Sequence, residues 1–500
     1  MNVIEPGMRG AAALSGRRLV TATALGAGVG LVAAFDGAIA HAFDWLWFAQ
    51  QVPYALSLLV LAAALAGALV ARHRTLLWRE QFALTTVAIV YSLHLMALDV
   101  GPINPLNVLI VLMCMLWLLH RCVDHTAPWS PSGLFHLSVL FMACVLASAL
   151  NQDFIDIFRG LLNMLPKLVL VLILTDILDD RQQVDLAVRA LIASSAIAAV
   201  VGMVQSSLYF GYQLELNLMG PDAPRYVPIA GVTVLRASGL HSGPHFYAQP
   251  LAVAALIALF LAGTAHGWRR AWFGGAAFAA LVGVILSVAR NQWVGVFFGL
   301  ILLPLVARPR LTLTLWVPLG FGLFAVGMAS GLLPWAVRAL LDINVSSGTA
   351  RVELFGAGIR ALMEHPLNGV GIGNFPSYFP TNERDPVHNA VIEVGSELGA
   401  VGSLVFVTAL AWVAARLVNG IRAAADPHAR NQLKALLVGY LCMLVEIQFD
   451  LMAYSEFVWF YLVLADSAVR VALRESSGKA TMAPEQQGSG PRLGSFGPEI

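Results

Sequence analysis

Long apolar runs separated by short polar interruptions dominate the chain. Most are close to the ~20 residues that cross the hydrocarbon core of a bilayer as a helix. About fourteen runs qualify, at about 19–40, 53–71, 82–98, 104–120, 134–150, 164–178, 188–210, 246–265, 271–288, 292–307, 311–331, 388–416, 433–449 and 454–470. Because backbone polar groups in lipid need internal partners, these runs should be helices. The pattern predicts an all-α polytopic membrane protein with about 12–14 transmembrane helices, although two short runs can be re-entrant.

Composition supports this prediction. Of the 500 residues, 58% are hydrophobic and 12% are charged, whereas a soluble protein carries about 25% charged residues. The net charge of +1 gives no electrostatic reason to expect a nucleic-acid partner. The four cysteines lie in or beside apolar runs without metal-ligand spacing, so we interpret them as membrane-core thiols.

The N-terminal segment resembles a cleavable signal, because Arg17 and Arg18 precede an apolar stretch. Leu19 to Ala40 is longer than the usual signal core of about 7–15 residues, and many further runs follow it. We therefore predict that this stretch is the first transmembrane helix.

Basic residues near the ends of the runs predict the orientation of the chain. Under the count above, one side of the membrane receives Arg17, Arg18, Arg72, Arg74, Arg79, Arg121, Arg181, Arg189, Arg269, Arg270, Arg308, Arg310, Arg422, Arg430 and Lys434. Such residues favour the cytoplasm, so both termini should be cytoplasmic. The opposite side receives two longer segments, at about 211–245 and 332–387, and it also carries arginines, among them Arg236, Arg290 and Arg351. Either such long loops tolerate any charge, or something on that side requires arginine.

These features divide the chain into four regions. Residues 1–210 should hold the N-terminal transmembrane helices, and 211–245 a first long loop on the side opposite the cytoplasm. Residues 246–470 should form a second transmembrane region that includes another long, partly helical loop on that side at 332–387. Residues 471–500 have the polar, Pro- and Gly-containing composition of a disordered cytoplasmic tail.

The stretch from Ser346 to Gly402 carries the most informative pattern. Arg351 is followed by a stretch from Glu353 to Met363 that is predicted to form a helix ending at Glu364-His365-Pro366. The segment HPLNGVGIGNF supplies a glycine-rich turn, and His388-Asn389 begins an apolar run that continues through ELGAVG. The glycines do not form a dinucleotide fingerprint, because no strand precedes them and the spacing departs from G-x-G-x-x-G.

Together these pieces resemble the O-antigen ligase and Wzy polymerase family of bacterial membrane glycosyltransferases. Arg236-Ala237-Ser238-Gly239 looks like the outer-loop arginine motif of that family. Ser287-Val288-Ala289-Arg290 is similar to its serine-arginine-glycine element, although Asn291 stands where glycine is usual. The resemblance covers about residues 230–415.

The resemblance implies a glycan donor on undecaprenyl pyrophosphate and an acceptor hydroxyl on lipid A-core or another lipid-linked glycan, at the periplasmic face of the bacterial inner membrane. Arginine forks suit phosphate oxygens, so Arg236, Arg290 and Arg351 are candidates for holding the leaving group without a metal or cofactor. His388 is the candidate base for an inverting attack, since histidine titrates near neutral pH. His365, Asn374, Asn389 and Glu397 complete the set of candidate substrate-binding residues.

Other interpretations of these residues stay open. His388 can be an interfacial histidine at a helix start, and His365 can cap a helix C-terminus. The glycines at 395, 399 and 402 fit close helix packing, and Glu397 can orient a neighbouring group. His241 and His245 are four residues apart, but Gly243 and Pro244 between them argue against a helical metal site. Glu446 and Asp450 are acids near the outer end of a span and have no evident partner.

Three further functions compete with an O-antigen ligase. A polymerase or a protein O-glycosylation enzyme would use the same donor chemistry with another acceptor. A secondary transporter or lipid flippase would also show many spans and glycine-rich breaks. Against transport, the polar residues concentrate at one face instead of at the bilayer midplane.

Overall fold

The fold is known from a computed structural model, which describes residues 110, 114, 117, 132–148, 154–212, 226–229, 232–239, 241, 243–307, 345–378, 387–450 and 452–482. Outside the described residues lie the predicted spans at 19–40, 53–71, 82–98 and 311–331, most of the span at 104–120, and the end of the tail from 483. All further structural statements concern the described residues.

Helices make up nearly all of the described structure, as the apolar pattern predicts. They are α1 (Gly133–Ser148), α2 (Phe154–Ile177), α3 (Arg181–Tyr212), α4 (Pro244–Thr264), α5 (Trp268–Leu286), α6 (Arg290–Ala307), α7 (Val345–Glu364), α8 (Phe375–Tyr378), α9 (Ala390–Ala423), α10 (Pro427–Glu446) and α11 (Glu456–Met482). Strands β1 (Tyr226–Ile229) and β2 (Val232–Leu235) form an antiparallel hairpin in the region predicted as the first long loop.

Five of these helices, α3, α4, α5, α6 and α9, are long and apolar enough to cross a membrane. The prediction of an all-α polytopic membrane protein is therefore confirmed. Helix α4 lies at the centre, packed against α3, α5, α6 and α10. Its sequence is apolar on all sides and rich in alanine, which is typical of a helix surrounded by other helices.

The lipid-facing surface is formed in part by α5 and α6. In α4, 78% of the most apolar window is buried inside the protein, against 28% in α5 and in α6. Large apolar side chains such as Phe278 and Phe297 are accordingly exposed on those two helices. Their exposure fits contact with hydrocarbon chains.

Helix α9, which contains most of the predicted span at 388–416, is sharply bent. Gly399 has φ 73° and ψ −175°, outside the helical region. Beyond the bend, Ser403 Oγ lies 3.4 Å from the carbonyl oxygen of Val391, twelve residues earlier. Twelve residues of straight helix would separate these positions by about 18 Å. A short arm (390–398) therefore lies against a long arm (400–423).

The two ends of the bundle carry different chemistry. At one end, Arg181 pairs with Asp426 at 2.6 Å and with Glu475 at 3.6 Å, and Arg474 pairs with Asp179. We call this the charged end. The starts of α4, α6 and α9 and the end of α10 meet at the other end, the site end. Helix α10 joins the two, and its twenty residues extend about 30 Å, close to the thickness of a hydrocarbon core.

The predicted disordered tail is partly helical. Helix α11 continues to Met482, so residues 471–482 extend the last helix instead of forming an irregular segment. Arg474 and Glu475, which pair with Asp179 and Arg181, tie this extension to the α2–α3 turn. Composition alone could not show these ion pairs.

Candidate functional site

Arg236 is held in place by backbone contacts where the β-hairpin ends. Strand β2 ends at Leu235, and the next residues run beside the end of α5. The backbone N–H of Ala237 donates to the carbonyl of Leu286 at 2.9 Å. Arg236 Nε donates to the carbonyl of Ser287 at 3.2 Å. The guanidinium therefore projects from a fixed point at the site end.

Gln205 of α3 braces the same loop from the other side. Its side-chain oxygen accepts the backbone N–H groups of Ser238 and Gly239, both at 3.1 Å. Gln205 is 1% exposed, so these bonds are formed away from water. Gly239 adopts φ 56°, a conformation that favours glycine. The arginine motif RASG thus owes its shape to a buried glutamine that the sequence pattern does not single out.

Asp450 connects the two histidines of the site. His245 Nδ1 lies 3.3 Å from Asp450 Oδ2, and His388 Nδ1 lies 3.9 Å from Asp450 Oδ1. Arg236 Nη2 lies 3.3 Å from His245 Nε2. Because a guanidinium only donates, Nε2 must accept, and in neutral His245 the proton is then on Nδ1, facing the carboxylate. Arg236, His245, Asp450 and His388 thus lie next to one another, with His388 in ion-pair range of Asp450 but beyond hydrogen-bond distance.

The carboxylate of Asp450 is buried, whereas the two histidine side chains next to it are partly exposed. The Asp450 side chain is 6% exposed, whereas those of His245 and His388 are 32% and 24% exposed. The carboxylate is therefore buried behind two rings that can be reached from outside. The His388 ring is partly exposed to solvent and has the Asp450 carboxylate on its Nδ1 side, an arrangement in which a carboxylate orients a general base.

The start of α6 contributes two amides beneath Asp450. Asn291 Nδ2 donates to the carbonyl of Phe449 at 2.7 Å and lies 3.5 Å from Asp450 Oδ2, as does Gln292 Nε2. Arg351 Nη1 in turn donates to Asn291 Oδ1 at 3.5 Å. Asn291, which departs from the glycine of the resembled motif, thus connects Arg351 to the acid.

Three guanidinium groups gather at this point. The charges of Arg236, Arg290 and Arg351 are near enough to interact, Arg290 with each of the other two. Burial lowers the pKa of Arg236, the charge of Arg290 lowers it further, and Asp450 raises it. A guanidinium keeps its proton at neutral pH. Electrostatic repulsion between these partly buried positive charges is unfavourable, and a bound anion would offset it.

The turn before α6 is conformationally strained. Val288 adopts φ 50°, the left-handed region that a β-branched residue rarely occupies. Ser287 Oγ accepts the backbone N–H of Ala289 at 3.1 Å and so helps to hold the turn. Strained backbone of this kind concentrates at functional sites. Here it lets α5 reverse into α6 and places Arg290 at the first position of the new helix.

Asn389 serves the architecture of the site. Its Oδ1 accepts the N–H groups of Val391 and Ile392, both at 3.0 Å, and so caps the short arm of α9. Its Nδ2 donates to the backbone oxygen of Gln448 at 3.0 Å. Asn389 thereby ties His388 to the segment that carries Asp450.

The glycine-rich turn packs backbone to backbone on the bend of α9. The N–H groups of Val370 and Gly371 donate to the carbonyls of Ser396 and Glu397, both at 2.9 Å. A Cβ on Gly369 would come within 2.2 Å of the Glu397 carbonyl carbon. The HPLNGVGIGNF segment is thus a close-packed support for the short arm. The glycine-rich turn predicted for this segment is present.

Two predicted ligands, Glu397 and Asn374, lie within this support. The Glu397 carboxylate is 3% exposed and accepts the backbone N–H groups of Gly373 and Phe375. Asn374 Nδ2 donates to the carbonyl of Val370 at 3.1 Å. Their described contacts are made within the protein, which agrees with the reading of Glu397 as an orienting group.

His365 lies at the end of α7, as predicted, and its ring contacts that of Tyr378 edge to face at 5.6 Å. This position fits the interpretation as a helix C-terminal cap. Substrate binding by His365 stays a prediction.

The acid Glu446 was also noted without a partner, and it is fully buried at the end of α10. Its Oε1 accepts from Cys442 at 3.4 Å, and a Cβ on Gly295 would come within 2.6 Å of its Cγ. Glu446 therefore packs tightly between α10 and α6 and borders Asp450.

The comparison with protein families agrees with this geometry. Residues 275–407 match the family model described as O-Antigen ligase. The chain therefore contains a domain of the O-antigen ligase family. The matched region contains Arg290, Arg351 and His388, while Arg236, His245 and Asp450 lie outside it. No curated protein matches the chain.

This match confirms the resemblance seen in the sequence. The protein is a multi-pass membrane protein, and the matched family indicates a glycosyltransferase-type enzyme that acts on lipid-linked glycans. Sequence reasoning identified Arg236, Arg290, Arg351 and His388, which the structure brings together. It missed the role of His245 and the partners of Asp450. Asp450 could have been selected from the sequence, because the predicted spans place this acidic residue on the same side of the membrane as the three arginines.

Proposed function

We propose that this protein transfers a glycan from undecaprenyl pyrophosphate to a hydroxyl of lipid A-core at the periplasmic face of the bacterial inner membrane. One observation carries the proposal, namely the gathering of three guanidinium groups beside a histidine backed by a buried carboxylate. Cations suited to a diphosphate and a base suited to an alcohol are the two requirements of this reaction.

The diphosphate binds where Arg236, Arg290 and Arg351 converge. Guanidinium forks form paired, charge-assisted hydrogen bonds with phosphate oxygens. The first residue of α6 is Arg290, so the positive end of the helix dipole lies at the same place. These residues supply the positive charge themselves, so the proposed reaction proceeds without a metal ion.

The chemical step is a single displacement. His388 removes the proton from the acceptor hydroxyl as its oxygen forms a bond to the anomeric carbon of the donor. The bond from that carbon to the diphosphate oxygen breaks, and undecaprenyl pyrophosphate leaves with the electron pair, held by the arginines. The configuration at the anomeric carbon inverts. The proton passes from His388 to solvent before the next turnover.

Asp450 acts in this step as a positioning residue. As His388 becomes positively charged, the carboxylate 3.9 Å from its Nδ1 stabilises that charge and leaves Nε2 for the acceptor. Because the same carboxylate faces His245, which receives a hydrogen bond from Arg236, the base and the diphosphate site share one buried anion. Asn389 positions His388 through the chain, whereas His365, Asn374 and Glu397 stay candidates for substrate contact.

The experiment compares polysaccharide from cells that carry wild-type protein, His388→Ala or the matched control His428→Ala. His428 is exposed at the start of α10, at the charged end. We expect His388→Ala to leave lipid A-core uncapped while lipid-linked chains accumulate, and His428→Ala to behave as wild type. Normal capping by His388→Ala, with the protein inserted at normal level, would refute the proposed base.

The same gel separates a ligase from a polymerase, since both use the donor chemistry described here. Loss of a polymerase would shorten the attached chains to one repeat instead of leaving the core bare. That result would retain the arginine–histidine mechanism and change the acceptor.

A further inference from the structure

A group of aromatic side chains lies at the site end and has no part in the reaction described above. It consists of Tyr209 and Phe210, near the end of α3, and Tyr226, the first residue of β1. The ring centroids of Tyr209 and Tyr226 are 5.7 Å apart, and those of Tyr209 and Phe210 are 5.6 Å apart. We call these three residues the aromatic cluster.

The register of the hairpin places the aromatic cluster next to Arg236. Tyr226 pairs directly with Leu235 across the two strands. Paired residues of antiparallel strands have Cα atoms about 5 Å apart, and consecutive Cα atoms are about 3.8 Å apart. The Cα atom of Tyr226 is therefore within about 9 Å of that of Arg236, a distance that one or two sugar rings cover.

Exposure distinguishes the members of the cluster. Tyr209 is 9% exposed and lies beneath the other two rings, whereas Tyr226 and Phe210 are 38% and 51% exposed. Tyrosines at the end of a span often anchor a helix in the lipid interface. Tyr226, however, belongs to the hairpin and not to a span, and its ring packs on Tyr209.

The chemistry of the cluster suits carbohydrate. A pyranose has an apolar face of C–H groups and an edge of hydroxyl groups, so it is recognised by flat apolar rings that carry polar atoms at their rims. Tyrosine supplies both in one rigid side chain. A donor diphosphate held by Arg236 carries its glycan with it, and the exposed rings of Tyr226 and Phe210 lie on the same part of the site end.

We propose that Tyr226 and Phe210, supported by Tyr209, form a binding subsite for sugar residues of the lipid-linked glycan beyond the first. This inference rests on the proposed function, because it takes the Arg236 site to hold the donor diphosphate. The first sugar has to lie with its anomeric carbon near His388, so the subsite receives the second or third sugar. Donors with several sugars should therefore bind more tightly than a donor with one.

The test measures initial transfer rates of the purified full-length protein with two synthetic donors, an undecaprenyl pyrophosphate monosaccharide and a trisaccharide. Tyr226→Ala should raise the KM for the trisaccharide donor about tenfold, the loss expected for one aromatic contact, and leave the monosaccharide KM unchanged. Tyr226→Phe retains the ring and should change either KM by less than about threefold. Trp268→Ala is the matched aromatic control, because Trp268 is 82% exposed at the charged end.

Each outcome supports or overturns the subsite. An unchanged trisaccharide KM in Tyr226→Ala overturns it, and so does an equal effect on both donors, which would show a structural role. If Tyr226→Ala does not fold, Phe210→Ala is measured in its place, since that ring is half exposed and should give the same selective rise in KM. Failure of the wild-type protein to transfer either glycan would instead refute the proposed function.

Discussion

Replacing Asp450 with Asn tests how the carboxylate behind His388 contributes to the proposed reaction. Asn has almost the shape of Asp, so the contacts with Asn291 and Gln292 can be kept while the negative charge is removed. What changes is the stabilisation of His388 when it carries a proton. We therefore expect the rate constant of the chemical step to fall while the protein keeps its fold.

The magnitude follows from the distance between the two side chains. Unit charges 3.9 Å apart interact by about 4 kcal/mol at an effective dielectric constant of about 20, which corresponds to about a thousandfold in rate. Exposure of His388 screens part of this energy, so a fall in kcat of about 100-fold to 1000-fold is expected. Donor KM should stay equal or decrease, because a negative charge near the diphosphate has been removed.

The assay is steady-state transfer kinetics with a saturating acceptor, measured for Asp450→Asn, His388→Ala and the double variant. If Asp450 acts through His388, the double variant should be no slower than His388→Ala alone, because both substitutions remove the same contribution. Asp450→Asn with kcat near wild type would refute the reasoning, and so would fully multiplicative losses in the double variant.

Asp466→Asn is the matched control. Asp466 is also a buried aspartate, and it pairs with Arg416 at 3.2 Å and Arg470 at 3.7 Å in helices α9 and α11. Removing its charge should lower thermal stability without a selective loss of kcat. The comparison separates the loss of a buried anion in general from the loss of this one.

Three further predictions concern the bend of α9 at Gly399, the hydrogen bonds of Gln205 to the loop after β2, and the arginines proposed to bind the diphosphate. Gly399→Ala should destabilise the protein by about 2 kcal/mol or more in thermal unfolding, because its φ is 73° and a Cβ would lie 2.4 Å from Leu367, whereas Gly373→Ala, at φ 68° with open space around it, should cost only about 1 kcal/mol. Gln205→Leu should raise donor KM and lower the unfolding temperature, since two buried N–H groups lose their acceptor at about 1–3 kcal/mol each, while Gln205→Glu should retain most of the wild-type KM. Inorganic pyrophosphate at about 100 times its Kd should raise the free energy of unfolding by about 2.7 kcal/mol in the wild type, and clearly less in Arg351→Ala at the same concentration.

Much of the fold could be predicted from the sequence because spans of a membrane protein are local features. Length and apolar character alone decided the helices α3 to α6, and their observed bounds lie close to the predicted ones. The bend in α9 could not be found in this way. Gly399 was interpreted as a packing glycine, and the apolar pattern continues unbroken through it.

Candidate residues of the site could be found from the sequence where the residue type itself suggests a chemistry. Arginine and histidine on the predicted outer side pointed to a phosphate and a base, and the structure brings Arg236, Arg290, Arg351 and His388 together. The role of Asp450 was not predictable, because its partners His245 and His388 are distant in the chain. Gln205 was missed for the same reason, since an isolated polar residue in an apolar run gives no signal.

The most direct test of the central claim is a transfer assay with purified protein, undecaprenyl-pyrophosphate-linked glycan and a lipid A-core acceptor, in the presence of EDTA. One undecaprenyl pyrophosphate should be released for each glycosidic bond formed, at a rate that EDTA does not change and that His388→Ala abolishes. Movement of the donor across the membrane without a new glycosidic bond, or full activity of His388→Ala, would contradict the account.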